Sequence, residues 1–214
     1  MEALSLLRSA SNSLAAASEC LARESHLHDL AEAGAGEYLW IWELTEPAIV
    51  MGHAADCIFD VNQEACEHEG IPILRRTSGG RAVLLNKGCL NYTLILRHQE
   101  HEERGLRECY RSILIAVLDA AGVAGARCES TDLILHNRKF SGCAQRRRRH
   151  TLLHHGTILY DFDIAAAGRF LAMPRRQPVY RNGRSHADFL TNVDVHPDFP
   201  RRLAARFPEA VAVR

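Results

Sequence analysis

Between two β-like runs, residues 71–74 and 90–96, this 214-residue chain carries Arg75-Arg76-Thr77-Ser78-Gly79-Gly80-Arg81-Ala82-Val83. Paired glycines between strands let the backbone come close to a ligand, because no Cβ stands in the way. Bare N–H groups in such a turn hold anions, and guanidinium forks beside them add delocalised positive charge. The chain must therefore fold so that a glycine turn joins strands and faces a site for a phosphate or a carboxylate.

The rest of the composition narrows the class. A length of 214 residues suits one domain covering 1–214, with 47% hydrophobic and 24% charged residues. Lys and Arg total 26, as do Asp and Glu, so no bulk positive field exists to bind nucleic acid. No apolar run approaches the ~18–20 residues of a bilayer crossing. The first residues lack the basic and apolar regions of an export signal. Neither nucleic acid nor membrane is expected as a partner, and a cytoplasmic location is expected. The seven cysteines form no Cys-x-x-Cys pair and read as reduced thiols. His26/His28 and His154/His155 lack the spacing of a structural zinc site, so no metal site is expected.

Periodicity predicts a helix over 3–23, with Leu7, Ala10, Leu14, Ala17 and Leu21 on one face. Strands follow over 37–44 and 48–51, then a short helix over 60–69 closed by Gly70. Three further strands are expected at 71–74, 82–85 and 90–96. The strongest helix pattern covers 105–121, with Leu106, Tyr110, Ile113, Val117 and Ala120 as its stripe. Strands over 132–135, 139–144 and 152–160, a helix over 162–172, a long ordered loop over 173–188 and a short helix from Pro200 complete the chain. Adjacent strands with helices inserted between them predict an α+β fold, a mixed sheet with helices packed on it.

Two more clusters carry chemistry. Asn137-Arg138-Lys139-Phe140-Ser141-Gly142-Cys143-Ala144-Gln145 puts a lysine at a strand start beside Ser-Gly, where its point charge suits a carboxylate or an α-phosphate. A solvent-facing lysine fits the same spacing. Leu153-His154-His155-Gly156-Thr157-Ile158-Leu159 lies on a strand, where alternation turns the two histidines to opposite faces.

Taken in order, the Arg75–Gly80 motif, Gly88-Cys89-Leu90-Asn91-Tyr92, Arg138–Gly142 and His154–Leu159 closely resemble the lipoate–protein ligase family, part of the biotin/lipoate ligase and octanoyltransferase superfamily. The resemblance runs from about Asn12 to about Asn192, and Asn12 to Glu19 resembles the family's opening helix. It implies a catalytic domain of the class II aminoacyl-tRNA synthetase and biotin ligase type. It further implies activation of lipoate or octanoate with ATP and Mg²⁺, then transfer of the acyl group to a lysine of an acceptor lipoyl-domain protein. By that resemblance Arg75, Arg76, Ser78, Gly79, Gly80, Arg81, Ala82 and Val83 line the acyl and adenylate site. Asn91 lies near the phosphate, Lys139 contacts the acyl carbonyl and α-phosphate, and Ser141, Gly142, His155, Gly156 and Thr157 complete the pocket. Strand alternation adds Leu74, Val83 and Leu94 as candidates for an apolar slot.

Arg81 stands where the family continues with a third glycine, and Leu85-Asn86 stand where it has His-Asp. The family often carries a C-terminal accessory domain, for which this length leaves no room. A separate chain supplying it, or a version working alone, is therefore expected. A rival route transfers the acyl group without ATP through a cysteine thioester, with Cys128 or Cys143 as nucleophile. A third reading is a non-catalytic binding subunit. Arg146-Arg147-Arg148-Arg149 is expected as a hairpin end or a docking surface for an acidic partner, and Arg181 and Arg184 as residues of a loop over the adenylate.

Overall fold

The computed structural model describes residues 7–9, 13–97 and 106–213. In chain order the first elements are β1 (Leu7–Ser9), α1 (Ser13–Glu32), β2 (Glu37–Leu44), β3 (Ala48–Met51), α2 (Cys57–Asp60) and α3 (Gln63–His68). Next come β4 (Ile73–Arg75), β5 (Val83–Leu85), β6 (Cys89–Arg97), α4 (Leu106–Ala121), β7 (Arg127–Glu129), β8 (Asp132–Leu135) and β9 (Arg138–Arg147). The chain continues through β10 (Thr151–Leu159), α5 (Ile164–Phe170), α6 (His186–Phe189), α7 (Phe199–Arg206) and β11 (Ala210–Val213).

Among the described residues, eight strands form one mixed sheet along the path β1-β2-β6-β10-β9-β8-β7, with β11 also paired to β2. The pairs from β2 to β7 are antiparallel, whereas β1 and β11 run parallel to β2. A second sheet has the order β4-β3-β5. The expected α+β arrangement is what the chain adopts.

Both faces of the large sheet are covered, and each cover makes a core. On one face, α4 and α7 seal Leu94, Phe140 and Leu152 with Ile113, Val117, Phe199 and Leu203. On the other, α1, α5 and the small sheet enclose Trp40, Trp42, Ile49, Val50 and Phe170. Strands sandwiched this way read as continuous apolar runs, as Cys89–Arg97 does, with eight of its nine residues buried.

Local chemistry sets several boundaries. The helix expected over 60–69 is α3 alone, over 63–68: Asp60 ends α2, Val61 is extended at φ −133°, and Asn62 caps α3 by accepting from the Ala65 N–H at 3.3 Å. Asp163 caps α5 in the same way. The segment expected as a loop over 173–188 contains a 3-10 turn, Val179–Arg181, and the start of α6. The predicted first helix needs a larger correction. Leu7–Ser9 is a strand, residues 3–6 and 10–12 lie outside the described residues, and α1 runs to Glu32 instead of ending at 23. Strands β7 and β11 had no expectation in the sequence.

Candidate active site

Two adjoining cavities lie on the α1 side of the large sheet. The first, about 300 Å³, is lined by Leu21, Trp42, Val50, Arg76, Asn91, Thr93, His155 and Ala144 among others. The second, about 240 Å³, is bounded by Leu84, Phe140, Leu159, Phe162, Arg181, His186 and Phe189 among others. Arg81, Ala82, Val83, Asp132, Lys139, Gly142, Thr157 and Pro178 line both, so Lys139 stands where they meet.

Lys139 is aimed by the turn and bulge around it. His136 and Asn137 adopt φ of 47° and 62°, forming a two-residue turn between β8 and β9. The register then shifts, so that Ile134 faces Lys139 while Leu133 faces Ser141. On a regular strand, Lys139 and Gly142 would point to opposite faces; the extra residue brings them to one side. Lys139 Nζ lies 2.8 Å from Asp132 Oδ1, and Tyr180 donates its hydroxyl to Asp132 Oδ2 at 2.6 Å. A Cβ on Gly142 would sit 2.6 Å from that Nζ, so the lysine occupies the space glycine leaves.

The arginine pair does something other than present an empty fork. Arg75 Nη1 donates to the carbonyls of Gly52, His53 and Ala55 at 2.8–2.9 Å. Arg76 donates from Nε to Ser78 Oγ, from Nη1 to the Val50 carbonyl, and from Nη2 to the Gly79 and Arg81 carbonyls. Arg76 thus organises the glycine turn, and Arg75 organises the 52–55 loop, whose Gly52 and His53 N–H groups donate to the Arg81 and Ser78 carbonyls of that turn. Gly80 is required at φ 92°, where a Cβ would also meet Arg76 Nη2 at 2.8 Å. Gly79 faces open space.

A buried chain of polar groups backs the first cavity. Ser78 Oγ lies 2.6 Å from His155 Nε2, and His155 Nδ1 lies 2.7 Å from Glu24 Oε1. Thr93 donates to the same Glu24 oxygen at 2.7 Å, and Trp42 Nε1 donates to Thr93 Oγ1 at 3.4 Å. Burial alone would raise the Glu24 carboxyl. The His155 ring, the hydrogen bonds from His155 and Thr93, and the Arg76 guanidinium outweigh it and hold the group below the usual carboxylate range. Since a carboxylate only accepts, His155 Nδ1 carries the proton. Its neighbour His154 faces the opposite core, between Tyr92 and Tyr110, as strand alternation requires.

The remaining expected residues sort by position. Ala82, Val83, Asn91, Gly142, His155, Gly156 and Thr157 line the first cavity, and Ser141 the second. Asn91 donates to the Cys89 carbonyl at 3.1 Å. Gly156 leaves room for the fully buried Tyr92, whose hydroxyl would be 2.4 Å from a Cβ there. Leu94 belongs to the α4 core and Leu74 lines neither cavity; of the apolar-slot candidates only Val83 reaches it. Cys143 lines the first cavity, but burial pushes its thiol up and Sγ donates to the Thr131 carbonyl at 3.1 Å. Cys128 packs against the α4 core, its thiol likewise raised by burial. Arg81 pairs with Asp60 at 3.2 Å. Arg146 and Arg147 end β9 at the hairpin, and Arg148 pairs with Asp29.

Glu24, Asp132 and Asp60 are the site residues that sequence reasoning missed. Glu24 had a signal: it falls three residues after Leu21, on the stripe that packs inward. Among the described residues, no group of three or more His, Cys, Asp or Glu side chains gathers as a protein-held metal would need, and no helix is long and apolar enough to cross a membrane. The two cavity carboxylates are each engaged by a cationic side chain.

Comparison with known proteins accords with this geometry. A Bacillus subtilis protein named lipoate-protein ligase LplJ is 29% identical over 128 residues, 60% of this chain and 38% of that protein. A solved Thermoplasma acidophilum structure, described as a bi-partite lipoate protein ligase and its E2 lipoyl domain, superposes with TM-score 0.72 at 22% identity, covering 98% of this chain and 86% of that one. A lipoate-protein ligase A solved with ATP gives 0.70 at 20% identity, covering 98% and 87%. The chain spans about half the length of the curated relatives it matches. The family model described as the lipoyl protein ligase A/B catalytic domain matches residues 16–201. With that match spanning most of its length, the chain belongs to the lipoyl protein ligase A/B catalytic-domain family.

Proposed function

We propose that this chain activates lipoate or octanoate with ATP, giving an acyl-adenylate, and passes the acyl group to a lysine of an acceptor lipoyl-domain protein. The observation that carries this reading is Lys139 at the junction of two cavities. The first cavity is an apolar slot, walled by Leu21, Trp42, Val50 and Val83, for the acyl tail. The second takes the nucleotide, so carboxyl and α-phosphate meet at the lysine amine.

The chemistry follows from that placement. A carboxylate oxygen attacks the α-phosphorus and pyrophosphate leaves. Two anions must approach, and a cation fixed between them stabilises the charge that develops. Mg²⁺ enters with the nucleotide as part of the substrate, held mainly by phosphate oxygens. The acceptor lysine then attacks the acyl carbonyl, loses a proton, and AMP departs. Lys139, steadied by Asp132, holds the carbonyl for that attack. No step needs a protein nucleophile, so positioning supplies much of the acceleration. The raised thiols of Cys128 and Cys143 favour this route over a thioester, which requires a thiolate.

The test is lipoate-dependent exchange of pyrophosphate into ATP by the purified chain. Lys139→Ala should lower that exchange by roughly 100-fold or more with the fold retained. Near-normal exchange in the variant would remove Lys139 from its role. Acyl transfer from a carrier protein without any exchange would replace the ligase reading.

A further inference from the structure

No step assigned to Lys139 uses the polar wall of the first cavity. Strand register separates that wall from the junction. Thr157 faces Asn91 across β10 and β6, and Thr157 lines both cavities. His155 faces Thr93 two residues further along, about 7 Å away at the strand rise, and these two line the first cavity alone. Trp42 joins them there, its ring stacked on Trp40 at 5.2 Å.

Three side-chain donors stand on this wall: the Trp42 indole N–H, the Thr93 hydroxyl and the His155 Nδ1–H. All of them lead to one oxygen. Trp42 Nε1 donates to Thr93 Oγ1 at 3.4 Å, Thr93 donates to Glu24 Oε1 at 2.7 Å, and His155 Nδ1 donates to the same Oε1 at 2.7 Å. On its other side the His155 ring meets Ser78 Oγ at 2.6 Å, and that oxygen also accepts from Arg76 Nε at 3.0 Å. Glu24 reaches the wall from behind. It is 2% exposed and lines neither cavity, whereas Leu21, one turn earlier on α1, lines the first. A carboxylate has no proton to give, so the run of donors ends in it. Each of the three donors is thus engaged, although the wall is built of polar side chains. A tail carrying a keto oxygen would find nothing there to bond, and a buried polar group left unpaired is costly.

We propose that Glu24 is a specificity-determining residue: it takes up the side-chain donors at the tail end of the acyl slot, and so restricts the slot to aliphatic chains that carry no oxygen acceptor on the tail. The proposal rests on the reading that the first cavity takes the acyl tail. Without Glu24, the Thr93 hydroxyl and the His155 N–H become unfilled donors beside the cavity. A site with an unfilled buried donor favours the ligand that fills it. Both bonds end on Oε1, so Glu24→Gln, which keeps an amide oxygen there, preserves the acceptor.

The experiment uses titration calorimetry on the full-length chain, with octanoate and the mono-oxo octanoates that carry the keto group at successive tail carbons. Wild type should bind octanoate at least about tenfold more tightly than the most disfavoured analogue. In Glu24→Leu that ratio should fall to about twofold or less, and in Glu24→Gln it should stay within about twofold of wild type. Loosened packing alone would weaken every ligand together and leave the ratio unmoved. Thr93→Val frees only the Trp42 indole and should lower the ratio in part. It carries the test if Glu24→Leu does not fold, and an unmoved ratio there would overturn the proposal. A ratio unmoved in folded Glu24→Leu, with octanoate still bound, would overturn it too and leave the tail reading standing. So would a wild type that binds every keto analogue as tightly as octanoate, or a Glu24→Gln that loses the ratio as fully as Glu24→Leu. A wild type that binds no octanoate would end the tail reading and the proposal with it.

Discussion

At the scale of single residues, the arginines and the lysine divide the work differently from what their charges alone suggest. Arg76 is buried and uses Nε and both terminal nitrogens to hold the glycine turn, so it builds the cavity wall rather than waiting for an anion. Burial also lowers it to about 10, still charged at neutral pH. Arg76→Lys keeps the charge but cannot reproduce the fork. It should cost about 2–4 kcal/mol of stability, measured by urea unfolding, because carbonyls of Val50, Gly79 and Arg81 lose their donors. Stability unchanged by that substitution would mean the turn holds its shape without Arg76. That Arg76 belongs with the glycine turn at the first cavity was legible in the sequence; its structural employment was not, since motif spacing says nothing about which carbonyls come within reach.

At the scale of elements, α1 shows why periodicity stopped short. Its inward face runs Ala17, Leu21, Glu24, His28, Ala31, in steps of three and four, with Glu24 at 2% and His28 at 1% exposure. The stripe continues, but its chemistry turns polar where it meets His155, Thr93 and the hairpin end, so an apolar template loses it at residue 23. The β9 strand carries the opposite lesson. Lys139 and the glycine beside it were legible as a motif, yet the bulge that puts them on one face is a tertiary feature. Gly142→Ala should displace the Lys139 amine from Asp132 and reduce exchange activity about tenfold or more, while the circular dichroism spectrum and unfolding midpoint shift little. A fully active Gly142→Ala would show that the lysine has room to spare.

At the scale of the whole molecule, buried histidines set an acid limit. Burial, chiefly, holds His154 at about 3, and holds His28 and His186 at about 4, against the ordinary 6.5. The Arg148 and Arg146 charges add to this at His28, the neighbouring His155 at His154, and Arg181 at His186. At these three positions the unfolded chain therefore takes up protons from pH 6.5 downward, whereas the folded chain does so only near 4 and 3. Their contribution to stability is complete above about 6.5 and falls steadily towards 4. Glu24, held low, adds its own loss below 4.5. The urea midpoint should drop between pH 7.5 and 5.0, with proton uptake on unfolding at pH 5.0 lowered by about one in His154→Gln. An unchanged uptake would mean that His154 already titrates in the folded state.

The same scale gives the parallel edge its meaning. β11 lies along β2 from Glu37 to Trp40 and β1 along it from Trp42 to Leu44, both in the same direction. Only Ile41 separates their footprints, so Val213 and Leu7 stand about 7 Å apart at the strand rise of a sheet. Two segments from opposite ends of the sequence thus act as one interrupted strand. In its topology the chain is nearly a closed ring, and a short link from 213 to 7 would complete that ring without rerouting any element on the way to the two cavities.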